Sequence, residues 1–513
     1  MIVYSSALFL PPGHELADQV RATAEVENPA YLDHERMVRA GVRSRMAAKP
    51  PRFLQVWREL PGGHRWAGGT MVPRSWRAPT GLRRRLERDT WIHTSDPELE
   101  GARLAEGVEL RDYQAAAGEA FERVESGVVI MPCGAGKTTT GLGIVARLRR
   151  RTLILVHTKD LARQWVERIR GADELQGQLE GVKVGTVGGG RKATDEGADV
   201  VVATVQTLAK WSFRDLYAWG KGFGLVILDE CHHAPADTFL RVLYGLPARF
   251  RLGLTATPDR EDAALLWASF GGVAFKVERN DLIKSGRIRP ARLEYHGTGC
   301  QVRTHEVREH PKAPWVPIWP KEVRGWKDRQ DDLTGYPRVR PRRWSSQVDE
   351  FVADPKRNGL ILDLAEAKVG EGHSVIILSE RVDHCRGLAE ALRARGLPAE
   401  AVAGRQGIRE VSGILARARR RETLILTGTT KADEGLDVPV LSCGILATRT
   451  KKFGRLTQRI GRIERPEGLR PEWHDLIDDF PSSARAWSER LKLYRELNLE
   501  GAAWKRRRRR GAA

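Results

Sequence analysis

The sequence predicts an α/β chain of two tandem parallel-sheet lobes of similar size, preceded by a small N-terminal accessory domain. Three observations carry this expectation. Continuous apolar runs alternate with amphipathic stretches from about residue 108 to 285, and the same alternation returns after residue 355. A proline-rich basic stretch separates the two. Strands apolar on both faces, with helices between them, belong to parallel sheets covered on both sides.

Each element follows from its pattern. Val128-Val129-Ile130 reads as a short buried strand, with a helix over 138–150 after it. The run 152–156 is the next strand, and the helix behind it places Leu161, Trp165 and Ile169 on one face. Runs at 199–204, 225–228 and 251–254 complete the first lobe. In the second, 374–378, 423–427 and 443–447 are strands, 474–478 is a closing strand, and 484–497 a terminal helix. The predicted boundaries are an accessory region at 1–104, a first lobe at 105–290, a connector at 291–350, a second lobe at 351–500 and a basic disordered tail at 501–513.

The accessory region is rich in Arg and Trp, has strand-like segments at 53–57 and 69–72, and is a candidate DNA-binding domain. Inside the connector, residues 303–344 hold six prolines, four tryptophans and eleven Lys/Arg against six Asp/Glu. Aromatics among cations suit base stacking. A linker pinned to the lobes by its tryptophans is the favoured reading, since Pro-rich connectors need such anchors. In the tail, Lys505 and Arg506 to Arg510 form either a phosphate-binding block or a solvated end.

A chain of 513 residues is long enough for several separate cores. Its 86 Lys and Arg against 66 Asp and Glu give a formal charge of +20, which favours a polyanionic partner, nucleic acid first. An Arg-rich coding bias is the plain alternative. The five cysteines are scattered without C-x-x-C spacing, which argues against structural zinc or a disulfide framework and fits a reducing compartment. The N-terminus lacks the basic segment of a signal peptide and no apolar run spans a bilayer, so a cytoplasmic protein is expected, in the host cytoplasm if phage-encoded.

Chemistry concentrates at three places. Met131-Pro132-Cys133-Gly134-Ala135-Gly136-Lys137-Thr138-Thr139 is a Gly-rich loop ending in Lys-Thr, which holds phosphates through backbone N–H groups and an ammonium. Its Thr138 hydroxyl is left for Mg²⁺. Leu228-Asp229-Glu230-Cys231-His232 sets two carboxylates after an apolar strand, one to direct the metal and one to polarise water. Late in the chain, 458–465 supplies Arg462 and Arg465, able to reach a γ-phosphate as fingers. The loop alone is ambiguous, because Met131 stands where its first glycine belongs. The three elements in this order predict ATP hydrolysis.

These residues resemble a superfamily-2 helicase of the DEAD/DEAH type, whose motifs follow one another through most of the chain. Arg111 and Gln114 resemble the adenine-reading Q motif. The phosphate loop resembles motif I, and Asp229-Glu230-Cys231-His232 the D-E-x-H form of motif II. Val156-His157-Thr158 with Gln164-Trp165 resembles motif Ia, and Thr204-Val205-Gln206-Thr207-Leu208 motif Ib, where the family holds single-strand phosphates. Leu254 to Pro258, including Thr257, resembles motif III, and Ile377-Leu378-Ser379 motif IV. Thr429-Thr430 with Gly435 and Asp437 fits motif V, and Gln458 with Arg462 and Arg465 motif VI. The triplet Arg260-Glu261-Asp262 is similar to an element associated with duplex opening in XPB-type DNA helicases, including relatives in bacteria and phages. An Asn28-Pro29-Ala30-Tyr31 turn is similar to that group's N-terminal segment.

The resemblance implies RecA-like lobes, ATP and Mg²⁺ as cofactors, and DNA, single-stranded or branched, as partner. It implies that Lys137 bridges the phosphates, Thr138 and Asp229 direct Mg²⁺, and Glu230, beside His232, activates water. Arg462 and Arg465 would neutralise the transition state, Gln458 would sense the γ-phosphate, and Gly435 and Asp437 would couple it to the track. Three functions compete: a DNA helicase or translocase, the motor of a restriction complex with its nuclease or another replication or repair factor as partner, and a slow ATP-switched clamp. An RNA track stays open, because the motif residues mostly touch phosphate. Polarity of 3′→5′ would come from the family alone.

Overall fold

The structure, a computed structural model, describes residues 95–501 apart from 173–174, 189–194, 234–236, 257–265, 267–268, 311–312, 331–337, 430–437, 449–452 and 466, together with eight short elements before residue 94. Two compact units divide it, residues 1–281 and 282–513. Among the described residues no helix is long and apolar enough to cross a membrane.

The first unit is built on a seven-stranded sheet. Its order is Val184–Val187, Val200–Thr204, Thr152–Val156, Leu225–Asp229, Phe250–Thr255, Ser126–Ile130, Val273–Lys276. Every pairing in it is parallel. The four runs 152–156, 200–204, 225–229 and 250–255 are buried throughout, which is why their sequences do not alternate. Before this sheet the chain forms another of five strands, ordered Arg58–Glu59, Thr70–Pro73, Ala7–Leu10, Ile2–Tyr4, Trp91–His93.

Two helices of this unit position polar groups. Lys137–Leu148 starts directly from the phosphate loop. Lys159–Arg170 is capped by Thr158, whose hydroxyl accepts the Leu161 N–H at 3.2 Å, and buries Trp165 and Ile169. The two helices meet at a glycine. A Cβ on Gly141 would stand 2.9 Å from Trp165 Cη2 and 3.2 Å from Leu254 Cδ1. Glycine inside a helix costs about 0.5–1 kcal/mol, and here it lets the indole pass beneath the helix.

The second unit has a six-stranded parallel sheet. Its order is Arg292–Gly297, Glu472–Ile477, Leu441–Leu446, Ser374–Leu378, Ile425–Gly428, Ala399–Val402. Arg292–Gly297, placed by its sequence in the connector, is an edge strand here and pairs with Glu472–Ile477 over its whole length. It alternates a buried Leu293 with half-exposed polar neighbours, so a search for continuous apolar runs passes over it.

The described part of residues 303–344 is also folded. Val316–Ile318, His305–Arg308 and Arg338–Pro341 make a three-stranded antiparallel sheet. Arginines cover its tryptophans: Arg340 lies 3.9 Å from the Trp315 ring centre, and Arg303 lies 5.9 Å from that of Trp319. Trp344 instead packs on Phe351, beside Cys300, Val302, Val348 and Phe480. These strands are short, polar and proline-flanked, the pattern that hides a strand from periodicity.

Candidate active site

The first unit assembles its polar groups at the carboxyl ends of neighbouring parallel strands, where open α/β sheets bind ligands. The phosphate loop follows Ser126–Ile130, Asp229 ends Leu225–Asp229, and Thr255 ends the strand between them. Thr158 lies just past the end of the next strand, and Thr204 ends the one after it.

Gly134 and Gly136 take φ of 80° and 81°, a conformation that favours glycine, and turn the loop into its helix. Gln114 makes Gly136 doubly necessary, because a Cβ there would meet Gln114 Nε2 at 2.5 Å. Met131, at the missing-glycine position, is fully buried; its N–H donates to Thr255 O at 2.9 Å and its sulfur accepts from Thr140 Oγ1 at 3.4 Å. It anchors the loop from below, where no phosphate contact is needed.

Gln114 is bonded on both sides. Its Oε1 accepts the Arg111 N–H at 2.9 Å, and its Nε2 donates to Ala135 O at 3.2 Å and Gly136 O at 3.4 Å. Tyr113 adds a third tie, its hydroxyl donating to Ala135 O at 3.0 Å while Arg111 Nη1 donates to that hydroxyl. Gln114 therefore shapes the loop. Thr139, expected at the phosphates, spends its hydroxyl on Gln178 Oε1 at 3.0 Å. Pro132, Cys133 and Thr138 are half-buried, and Ala135 is buried.

Each carboxylate is held by its own set of partners. Trp165 Nε1–H donates to Asp229 Oδ2 at 2.8 Å, and the Glu230 N–H donates to Asp229 Oδ1 at 2.9 Å. Glu230 has φ of 49°, a left-handed conformation costing a non-glycine residue about 1–2 kcal/mol. That turn points its side chain at Lys137, whose Nζ is 3.8 Å from Glu230 Oε1. On the other side His232 Nδ1 is 3.3 Å from Glu230 Oε2 and 3.1 Å from Thr255 Oγ1. Thr255 thus joins the loop, through its carbonyl, to the Glu230–His232 pair, through its hydroxyl.

Burial raises the Asp229 carboxyl above the ordinary range, and the neighbouring Glu230 adds to the effect. Burial would raise Glu230 too, but Lys137 and then His232 outweigh it and hold its carboxyl at about 2. Cys231 is a packing residue, its thiol pushed well up by burial.

On the expected track, Thr204 is buried and its hydroxyl pairs with Thr207 Oγ1 at 2.8 Å, while Gln206 is exposed. Gln164 Nε2 is buried with no hydrogen-bond partner among the described residues. In the second unit, Thr429 is buried, helix Phe453–Gly461 carries a half-buried Gln458, and Arg462 and Arg465 follow it, both half-buried. Glu464 fixes that turn by accepting the Ala291 N–H at 3.0 Å. Thr257, Arg260, Glu261, Asp262, Gly435 and Asp437 lie outside the described residues, as do 28–31 and the tail from 505. Trp165, Thr255 and Tyr113 lie inside the segments that resemble motifs Ia, III and Q, but the resemblance assigned none of them a role at the site.

Comparison with known proteins places the same segments. Residues 107–260 match the family described as "Type III restriction enzyme, res subunit", and residues 357–467 match "Helicase conserved C-terminal domain". The chain is 29% identical over 383 residues to "DNA 3'-5' helicase XPB" of Kineococcus radiotolerans, covering 73% of this chain and 60% of that protein. Over 192 residues it is 36% identical to the protein of the same name from Mycobacterium tuberculosis, covering 36% of this chain and 34% of that one. It therefore spans less than two thirds of either relative. Among solved structures, "ATP-dependent Type ISP restriction-modification enzyme LlaBIII bound to DNA" matches with a TM-score of 0.51 at 15% identity, over 76% of this chain and 30% of that one, a likeness of fold.

Proposed function

We propose that this chain, which resembles the XPB-related superfamily-2 helicases, is an ATP-driven motor that translocates on DNA or separates its strands. One observation carries the proposal: a loop closed by Lys137, two carboxylates at Asp229 and Glu230, and a Thr255–His232 bridge between them, all at one end of a parallel sheet.

The site fits ATP with Mg²⁺. Two adjacent buried carboxylates face one ammonium, and both Asp229 oxygens are fixed by hydrogen bonds, so a cation there relieves repulsion rather than creating it. Thr138 and Asp229 would hold Mg²⁺, which supplies charge neutralisation at the phosphates when bound. Lys137 takes the β- and γ-phosphates.

Glu230 orients the attacking water. At about 2 its carboxyl has little affinity for a proton, and a general base works best near the operating pH. Lys137 is the strongest of the groups that lower it. When that ammonium turns to phosphate, Glu230 becomes more basic, so substrate itself prepares the base. Arg462 and Arg465 act as fingers that neutralise the transition-state charge, and such fingers contribute about 10³–10⁵ in rate. Thr158, Gln164, Thr204, Gln206, Thr257 and Thr429 line the track by phosphate contact, without base specificity. Arg260, Glu261 and Asp262 act at the duplex junction, while Gln458, Gly435 and Asp437 couple nucleotide state to the track.

A steady-state ATPase assay with single-stranded DNA, duplex, forked DNA and RNA in parallel tests the reading. DNA should stimulate turnover most, and Lys137→Ala should abolish it while DNA binding persists. Turnover indifferent to nucleic acid, or persisting near its original rate in the variant, would overturn it. The match of residues 107–260 to restriction-enzyme subunits favours a second reading, a motor serving a separate nuclease. Translocation without strand displacement on forked DNA would select it.

A further inference from the structure

We propose that Glu294, His296 and His474 form a site for a zinc-like divalent transition metal at the edge of the second parallel sheet. Glu294 and His296 are two apart on the edge strand and so share a face. His474 stands opposite Glu294 in the ladder, on the neighbouring strand. His296 Nε2 is 3.0 Å from His474 Nδ1, and Glu294 Oε2 is 3.8 Å from the same nitrogen. One donor atom from each residue lies within 4.8 Å of the others. Tetrahedral zinc with bonds of about 2.0–2.2 Å needs donors roughly 3.3–3.5 Å apart, a spacing the two measured distances bracket.

The surroundings prepare these donors. His474 Nε2 lies 3.3 Å from Glu472 Oε2, and a proton donated there leaves the Nδ1 lone pair facing His296 and Glu294. A carboxylate behind a histidine is the usual support of a metal ligand. Lys368 Nζ, 2.8 Å from Glu472, balances that carboxylate from behind.

A neighbouring cluster sharpens the choice. Glu371, His373 and Glu472 also converge, but Lys368 Nζ sits 2.9 Å from Glu371 and 2.8 Å from Glu472, so that cluster already holds its cation. At Glu294 the competing cation is Arg292, 3.2 Å from Oε1 on a half-exposed surface, which leaves Oε2 for the metal. Three protein donors leave one coordination position for water. Metal there would clip that strand to the sheet interior.

Titration of the untagged full chain with Co²⁺ alone, followed by its visible d–d absorption, tests the site. One equivalent should give the intense bands of a tetrahedral centre, Zn²⁺ should displace it, and the second unit's melting temperature should rise. His296→Ala should abolish the bands, Glu294→Gln should weaken binding, and Glu472→Gln should weaken it by about 10–100-fold. Asp229→Asn should leave the bands intact, which separates this site from the nucleotide site. Absence of tetrahedral bands from the unsubstituted chain, or bands unchanged in both His296→Ala and Glu294→Gln, would overturn the proposal.

Discussion

Asp229 in the first unit and Asp475 in the second lie in buried parallel strands, 6% and 1% exposed, yet their surroundings differ in kind. Asp475 accepts from Arg490 Nε at 2.6 Å and Nη2 at 2.9 Å, and from the Tyr494 hydroxyl at 2.6 Å, which in turn accepts from Trp473 Nε1 at 3.2 Å. Its charge is cancelled on the spot by a bidentate guanidinium. Asp229 has a neutral indole and one peptide N–H, with a second carboxylate beside it. Among the described residues, one ammonium, Lys137, faces the pair. Burial of charge is therefore common to both regions, and imbalance of buried charge is what marks the site.

Glu230→Gln breaks the comparison hardest. It should lower ATP turnover by about 10²–10⁴, the typical contribution of a positioned acid or base. Folded stability should fall by about 1–3 kcal/mol, because the lost pairing with Lys137 and His232 outweighs the relieved repulsion from Asp229. Steady-state turnover beside denaturant unfolding measures both.

Arg490→Met is the mirror case. It leaves Asp475 buried without its counter-charge and should cost about 3–5 kcal/mol in the second unit's unfolding transition. The check is a lower denaturant midpoint at unchanged slope. A loss under 1 kcal/mol would mean the two aspartates are less different than their partners suggest.

A pH effect of the second unit comes next. Burial, then Arg357, lowers His384 to about 4, and its ring is bonded to Ser379 Oγ at 3.0 Å and Asn358 Oδ1 at 2.9 Å. The unfolded imidazole titrates near 6.5, so between about 4 and 6.5 the unfolded chain binds more protons and stability rises with pH. The contribution is fully present above about 6.5 and is lost as pH falls toward 4, on the order of 2–3 kcal/mol in all. Unfolding midpoints measured from pH 4 to 7 should show it, and His384→Gln should lower the slope without flattening it, because burial lowers His474 in the same unit to about 4 as well.

Trp165→Phe is the mildest test. It keeps the ring under Gly141 but removes the N–H on Asp229, a hydrogen bond to a charged group worth about 1.5–3 kcal/mol. Turnover should fall roughly ten- to a hundred-fold, with the Mg²⁺ concentration for half-maximal rate raised. Unchanged Mg²⁺ dependence would reduce Trp165 to a packing role.

Much was legible in the sequence because it is written locally. The apolar runs of both sheets, the turn at Gly134 and Gly136, the carboxylates after Leu228 and the cations after Gln458 are each set by a few consecutive residues. Hydrophobic periodicity and loop chemistry act over that range. What the tertiary structure alone decided lies in pairings across long separations. Trp165 meets Asp229 across 64 residues, and His296 meets His474 across 178. Thr255 reaches back to Met131 and His232 at once. Such partners carry no local signature, because a hydrogen bond between strands or helices depends on which elements the sheet order makes neighbours. The edge strand Arg292–Gly297 shows the same limit from the other side: its half-polar pattern fits a linker as well as a strand until Glu472–Ile477 lies beside it. Residue type and spacing settled which chemistry the chain carries, and the parallel sheet order settled which groups hold that chemistry in place.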